Sequence, residues 1–158
     1  MSFQKVKGYF EKVGLGNRIK ELEQSSATVE QAANAIGCGP EKIAKTMSFL
    51  LNNEAILIVT AGDARVDNKK FKTTFEQKAK MIPGDVVEEY IGHKPGGVCP
   101  FAIKENVKVY LDVSLQRFEI VYPAAGSSQS AVELSLDELV IHSASREWVD
   151  VCNVLVRE

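Results

Sequence analysis

Residues 45–60, KTMSFLLNNEAILIVT, contain two apolar stretches that are separated by a polar break, Asn52-Asn53-Glu54. Polar residues that favour turns, placed between two such stretches, predict a β-hairpin with strands over residues 45–51 and 55–60. Residues 56–59 are continuously apolar, which is typical of a strand that is buried on both faces. We therefore expect the second strand of this hairpin to lie inside the protein.

Two helix signals precede the hairpin in the sequence. Apolar residues at helical spacing predict a helix over residues 3–13. Thr28 can accept a hydrogen bond from the backbone N–H of Gln31, a capping pattern that begins a second helix, and Gly37 is in the usual position to end it.

Three more helices are predicted after the hairpin, each from a side chain that can cap its first turn. Asp67 is expected to cap a basic helix whose inner face carries Phe71, Phe75 and Ala79. Asp85 is expected to cap a short helix that runs to Ile91. The cap expected for the last helix is Ser135.

Short strands complete the prediction, over residues 107–111, 119–122, 131–134 and 148–151, with an extended piece at 18–23. The strands and helices do not alternate with the regular βαβ rhythm of a doubly wound sheet. We expect a mixed α/β (α+β) fold, with a largely antiparallel, barrel-like sheet flanked by short helices. The length predicts a single domain spanning residues 1–158.

The composition is that of an ordinary globular protein: 158 residues, 45% hydrophobic and 25% charged, which excludes a disordered tail or a fibre. Nineteen basic and 21 acidic side chains leave a net charge of −2, so we expect no broad DNA-binding surface, although a local RNA contact stays open. No apolar stretch is long enough to span a membrane. The N-terminus has no signal-peptide core, which predicts a cytoplasmic protein.

Cysteines and histidines are few and scattered. Cys38, Cys99 and Cys152 form no CxxC pair, and only two histidines accompany them, so we expect neither a disulfide framework nor a zinc site. The common glycine-rich nucleotide motifs and the GxSxG hydrolase motif are absent from the sequence. We predict no cofactor.

Lys45 is the most informative candidate. In an alternating strand it shares a face with Met47, Phe49 and Leu51, so its ammonium group lies at the edge of an apolar surface. Such a lysine either extends along the surface to reach water or lines a pocket.

Two loops rich in small residues are further candidates. Residues 92–100, GHKPGGVCP, have paired glycines that can expose backbone N–H groups to an oxyanion, or they simply make a tight connection. Residues 124–128, AAGSS, can position a substrate amine or a water molecule, or form a plain turn. Cys99, six residues after His93, is either a thiolate nucleophile or a small pocket wall.

The basic stretch around Lys69, Lys70 and Lys72, followed by Lys78 and Lys80, also has two interpretations. It is a solvated helix face, or it is a local patch that contacts RNA phosphates.

Several of these segments occur together, in order, in a known family. The segments are TVEQAA (28–33), VTAGDARVD (59–67), GGVCP (96–100) and GSS (126–128). Their order and spacing resemble the YbaK/prolyl-tRNA synthetase-associated (INS-like) aminoacyl-tRNA editing domains, over about residues 3–152. The resemblance implies a barrel-like fold and a trans-acting deacylase that removes a wrong amino acid, typically alanine or cysteine, from tRNA, most often tRNA(Pro).

The resemblance also assigns candidate roles to residues. The family's essential lysine falls on Lys45, and its G-x-x-x-P loop falls on residues 96–100, where we expect the N–H groups of Gly96 and Gly97 to stabilise an oxyanion. Lys45 would hold the substrate carbonyl or the terminal tRNA phosphate. The other substrate-binding residues expected are Thr46, Met47, Phe49, Cys99, Pro100, Gly126, Ser127 and Ser128.

The implied partners are the acceptor end of tRNA and prolyl-tRNA synthetase. The attacking oxygen would come from water, from a 2′-hydroxyl of the tRNA or from the substrate side chain. Two alternatives stay open: a non-catalytic module that binds tRNA or a synthetase, and a cysteine-dependent hydrolase that uses Cys99.

Overall fold

A computed structural model of the chain describes residues 2–23 and 28–154. Its centre is the predicted hairpin, formed by β2 (Ile43–Leu51) and β3 (Glu54–Ala61), which pair antiparallel from Ala44 opposite Ala61 to Leu51 opposite Glu54. Asn52 and Asn53 both have positive φ, 50° and 65°. Two positive φ values in succession give a turn whose twist matches that of the paired strands. The hairpin is therefore confirmed, and the two asparagines explain it.

The remaining elements surround this hairpin. The other strands are β1 (Ile19–Glu21), β4 (Ala64–Val66), β5 (Lys108–Asp112), β6 (Ile120–Pro123), β7 (Ser130–Val132), β8 (Leu134–Ser135), β9 (Glu147–Val149) and β10 (Cys152–Val154). The helices are α1 (Ser2–Lys12), α2 (Val29–Ile36), α3 (Asn68–Phe75), α4 (Val87–Ile91) and α5 (Leu136–Ser143). Among the helices of the described ranges, none has the length and apolar character needed to cross a membrane.

The main sheet has six strands in the order β8-β6-β2-β3-β5-β9 and curls into a half-barrel, while β1 with β7 and β4 with β10 form two small ribbons. The mixed class with short flanking helices is confirmed. Across the described ranges, the hairpin, β6–β8 and both ribbons are antiparallel, but β2–β6, β3–β5 and β5–β9 are parallel. Parallel neighbours need long crossovers, which local sequence patterns do not reveal. The expected domain span of 1–158 includes residues 1, 24–27 and 155–158, which lie outside the described residues.

The hydrophobic core lies around β3, whose residues from Ala55 to Ala61 are all buried, as the continuous apolar run predicts. Helix α1 contributes Val6 and Phe10, and α3 contributes Phe71, whose ring centroid is 5.0 Å from that of Phe49. Helices α1 and α3 therefore both contribute side chains to the same core.

Three predicted helix caps are confirmed. Thr28 accepts from the N–H of Gln31 at 3.1 Å, Asp67 accepts from the N–H of Lys70 at 3.0 Å, and Ser135 forms a full capping box. These bonds satisfy N–H groups that the first helical turn leaves without partners.

Two helix predictions are corrected. Helix α3 ends at Phe75, because Glu76 adopts a left-handed conformation, so Ala79 lies beyond the helix. Asp85 does not cap α4. That helix follows Val86, which makes no side-chain capping bond.

Asp112 is a buried carboxylate that holds the end of β5. It accepts from the N–H of Ser114 and from the N–H of Val151, each at 2.9 Å. A buried carboxylate that accepts hydrogen bonds from two backbone N–H groups holds the two segments that carry those groups in place. Asp112 therefore joins the end of β5 to the segment between β9 and β10.

Candidate active site

A cavity of about 300 Å³ lies between α2, the first half of β2, the loop at residues 96–98, and the end of β6 with the loop that connects it to β7. Its apolar wall comes from Leu22, Val29, Ala32, Ile36, Ile43, Ala44, Val98, Ala124 and Ala131. Its other lining residues are Thr28, Lys45, Thr46, Gly96, Tyr122, Ser127 and Ser130. A small apolar chamber with a few polar groups is the usual form of a small-molecule site. The structure therefore brings four of the predicted site residues to one cavity: Lys45, Thr46, Gly96 and Ser127.

Lys45 is half-buried in this wall. Within residues 2–23 and 28–154, its ammonium forms no hydrogen bond or ion pair. Burial lowers the pKa of Lys45 and the charge of Arg65 lowers it further, while Cys152 and the carboxylates of Asp63 and Glu30 act in the opposite direction. An ammonium that has lost water without gaining a protein partner is available to an oxygen of a ligand.

Thr46, the next residue of β2, also has an unused polar atom. Its Oγ1 is buried and has no hydrogen-bond partner in the described part of the chain. A buried hydroxyl without a partner is costly. Thr46 lines the same cavity as Lys45, but its hydroxyl is enclosed by protein, so Lys45 carries the polar chemistry of this part of β2.

The loop opposite Lys45 is shaped by a turn over residues 94–97. Pro95 and Gly96 occupy its centre, Gly96 has φ 90°, and the N–H of Gly97 donates to the carbonyl of Lys94 at 3.0 Å. Proline followed by a glycine with positive φ is the pattern of a type II turn. This hydrogen bond gives residues 94–97 a defined turn conformation.

This turn corrects one expectation. The N–H of Gly97 is not a free donor for an oxyanion, because it closes the turn on Lys94. Gly96 and Val98 both border the cavity, and within the described ranges neither of their N–H groups donates to the protein. The N–H groups of Gly96 and Val98 are therefore the backbone candidates in this loop for binding a ligand oxygen.

Gly97 instead has a packing role. A Cβ at this position would lie 2.6 Å from the carbonyl oxygen of Gly126 and 2.8 Å from Cα of Ser127. Those atoms belong to the backbone, so they cannot rotate away. The two small-residue loops that the sequence predicts as separate candidates are therefore in direct contact.

Cys99 does not have the surroundings of a nucleophile. It is fully buried, and burial raises the pKa of its thiol to about 12. Its Sγ is 3.5 Å from Nε2 of His93, but that nitrogen lies 2.7 Å from the carbonyl oxygen of Phe101, to which it donates. A nitrogen that carries the proton cannot accept one from the thiol. This geometry disfavours the cysteine-dependent hydrolase.

The other predicted site residues lie elsewhere. Phe49 and Cys99 belong to the core, Met47 packs against it, and Pro100 is buried. None of these four lines the cavity. Gly126 and Ser128 border a neighbouring cavity.

Several lining residues were not predicted from the sequence. Tyr122 is one, and its hydroxyl donates to Glu133 at 3.1 Å. Ala32 and Ile36, on the face of α2 that lines the cavity, are two more. The capping pattern of this helix was visible in the sequence, but a cap does not tell which face of a helix meets a cavity.

Comparisons with known proteins agree with this architecture. The family model described as "Aminoacyl-tRNA editing domain" matches residues 23–140. The uncharacterised protein YwhH of Bacillus subtilis (strain 168) is 50% identical over 153 residues, which is 96% of this chain and 98% of YwhH. A proline–tRNA ligase of Aquifex aeolicus (strain VF5) is 31% identical over 90 residues, which is 56% of this chain but 16% of the ligase.

A solved structure is similar over nearly the whole chain. It is described as that of a candidate trans-editing enzyme for prolyl-tRNA synthetase, and it superposes with a TM-score of 0.86 at 26% identity. The match covers 96% of this chain and 97% of the other. The two chains therefore share one fold over nearly their whole lengths.

Proposed function

The chain belongs to the aminoacyl-tRNA editing domain family, and from that premise we propose that it is a trans-acting deacylase. It hydrolyses the ester that joins a small, wrongly attached amino acid to the end of a tRNA. The observation that carries this proposal is Lys45, a half-buried ammonium with no ion-pair partner in the described residues, on a cavity wall shared with Gly96.

Hydrolysis of this ester needs its carbonyl to be polarised and held, because an aminoacyl ester is already reactive. An oxygen nucleophile adds to the carbonyl carbon, and negative charge develops on the carbonyl oxygen. The C–O bond to the ribose then breaks, the ribose oxygen leaves with a proton, and one water is consumed overall. Donors aimed at the developing charge lower the barrier most when they are fixed in advance.

The chain supplies such donors on two sides of the cavity. In this proposal the N–H groups of Gly96 and Val98, which border the cavity at and just after the 94–97 turn, bind the carbonyl oxygen together with the ammonium of Lys45 from β2. Thr46 lines the same cavity and is a further substrate-binding residue in this proposal. With these roles assigned, no step of the proposed hydrolysis requires a cysteine thiolate.

The size and lining of the cavity support a small amino acid, alanine or cysteine. About 300 Å³ is at the lower end of the range for small-molecule sites. A synthetase cannot sharply reject a slightly smaller amino acid by binding alone, so a second site that admits only small side chains supplies the missing discrimination. A cavity of about 300 Å³ is large enough for proline, so discrimination against the proline ring would come from the shape of the wall, to which Val29, Ile36 and Ile43 contribute.

We propose tRNA(Pro) as the substrate tRNA and prolyl-tRNA synthetase as a partner, acting in the cytoplasm. Two likenesses support this choice: the similarity to part of a proline–tRNA ligase, and the fold shared with a candidate trans-editing enzyme for that synthetase. The net charge of −2 is compatible with a protein that contacts only the acceptor end of the tRNA.

The test compares Lys45→Ala with Lys42→Ala, an exposed lysine three residues earlier that does not line the cavity. Alanyl-tRNA(Pro) is incubated with each variant, and release of alanine is followed. We expect Lys45→Ala to lose about 100-fold or more in rate and Lys42→Ala to keep the wild-type rate. Equal rates for Lys45→Ala and wild type would remove the proposal, and tRNA binding without any release would favour the non-catalytic module.

A further inference from the structure

A second cavity, of about 460 Å³, lies on the other side of the two glycine loops. It is lined by Ser2, Phe3, Glu88, Lys94, Pro95, Gly97, Gly126, Ser127 and Ser128. Ser127 borders both cavities. The contact between the loops therefore separates two chambers that meet at one residue.

Helix α1 is built into the wall of this second cavity. A Cβ on Gly126 would lie 2.8 Å from the carbonyl oxygen of Ser2, so the start of α1 rests directly on the loop. The hydroxyl of Ser2 also donates to the carbonyl of Gly92 at 3.1 Å. Gly97 also packs closely on Gly126. The start of α1 and the loop that carries Gly97 therefore both contact Gly126 at the second cavity.

The side chains around the cavity suit a nucleotide. Phe3 is half-buried, yet it is not among the described residues that pack on the hydrophobic core. Its ring is thus available to a flat ligand. Lys94 is exposed and forms no ion pair within the described ranges. An aromatic ring beside an unpaired cation is the combination that binds a nucleobase together with its phosphate.

We propose that this second cavity binds the terminal nucleotide of the tRNA, with the base against Phe3 and the phosphate held by Lys94. This inference rests on the proposed function, because the ester joins the amino acid directly to the terminal ribose. A substrate whose amino acid occupies the first cavity must continue past the boundary between the chambers. Ser127 lies on that boundary, so the ester bond would cross there.

Glu88 decides the orientation of the nucleotide. Its carboxylate is exposed on the rim and would repel a phosphate placed beside it. The phosphate therefore lies on the side of Lys94 and away from Glu88. The carboxylate then accepts a hydrogen bond from a hydroxyl or amino group of the nucleoside.

The first arm of the test is binding of adenosine 5′-monophosphate, followed by NMR on the full chain. We expect shifts at the amides of Gly97, Gly126 and Ser127, and affinity about tenfold weaker in Phe3→Ala and in Lys94→Ala. Phe3→Leu keeps an apolar side chain but removes the ring, so it separates stacking from folding. The control is Lys12→Ala, an exposed lysine in the last turn of α1.

The second arm measures deacylation of alanyl-tRNA(Pro) by the same variants. We expect KM to rise about tenfold with kcat little changed, because the nucleotide is bound without being altered. Wild-type rates in all three variants, or nucleotide shifts confined to Lys45 and Thr46, would overturn the inference. If the wild type releases no amino acid but binds the nucleotide at residues 126–128, the proposed function fails while the nucleotide site stands.

Discussion

Replacing Gly97 by alanine would put a methyl group 2.6 Å from the carbonyl oxygen of Gly126 and 2.7 Å from its carbonyl carbon. Real Cβ atoms do not approach backbone so closely, so the two loops must move apart. Because overpacking of a tight contact costs about 1–3 kcal/mol, we expect the free energy of unfolding to fall by that amount. In a chain of this size each 1 kcal/mol corresponds to about 2–4 °C in Tm.

The matched control is Gly8→Ala. Gly8 lies inside α1, and a Cβ there would meet nothing within 4 Å. Alanine in a helix interior is more favourable than glycine by about 0.5–1 kcal/mol, so this variant should raise Tm. The same glycine-to-alanine change is therefore predicted to lower the Tm at position 97 and to raise it at position 8.

Thermal unfolding measures the stability part, and deacylation of alanyl-tRNA(Pro) measures the functional part. We expect Gly97→Ala to lose activity at temperatures where it is still folded, because the loop that carries the Gly96 and Val98 donors has shifted. A Gly97→Ala protein with the wild-type Tm and rate would refute the close loop packing on which both cavities depend.

Three further predictions follow from buried groups. Burial lowers the pKa of Lys45, so at neutral pH, where the lysine is charged in both the folded and the unfolded chain, its burial costs stability. Between the folded and the unfolded pKa the unfolded chain binds more protons, so this cost disappears as the pH becomes alkaline. Lys45→Met should therefore raise Tm at neutral pH, with a gain that shrinks at alkaline pH, and a lower Tm at neutral pH would contradict this. Burial raises the pKa of the Cys99 thiol to about 12, so iodoacetamide at neutral pH should leave it unlabelled in the folded protein, as read by mass spectrometry; rapid labelling would show that the thiol is accessible. Asp112→Asn leaves one of the N–H groups of Ser114 and Val151 facing an amide donor, which should lower the free energy of unfolding by about 1–3 kcal/mol; an unchanged urea midpoint would argue against this role.

Local features of the fold were predictable because they depend on neighbouring residues. The hairpin follows from two asparagines that accept positive φ, and the caps at Thr28 and Ser135 follow from side chains three residues from their donors. The parallel pairings of β5 were not predictable, because its partners are β3 and β9, far along the chain in both directions.

The candidate site shows the same contrast between local features, which could be predicted, and contacts between distant segments, which could not. Lys45 and Gly96 were proposed from chemistry and resemblance, and they share one cavity. Phe49 was assigned to the same face as Lys45 by alternation, but α3 covers that part of the strand and Phe49 packs on Phe71. The turn that occupies the N–H of Gly97 was readable from the Pro95-Gly96 pair, which is a turn signal in itself.

The central claim is that the cavity between Lys45 and the Gly96–Val98 loop accepts a small aminoacyl ester and rejects proline. It is tested most directly by incubating the wild-type protein with alanyl-, cysteinyl-, seryl- and prolyl-tRNA(Pro) and measuring amino acid release from each. We predict release of alanine or cysteine well above the spontaneous rate, with prolyl-tRNA(Pro) left intact. Release of none of them, or release of proline as fast as alanine, would contradict the claim.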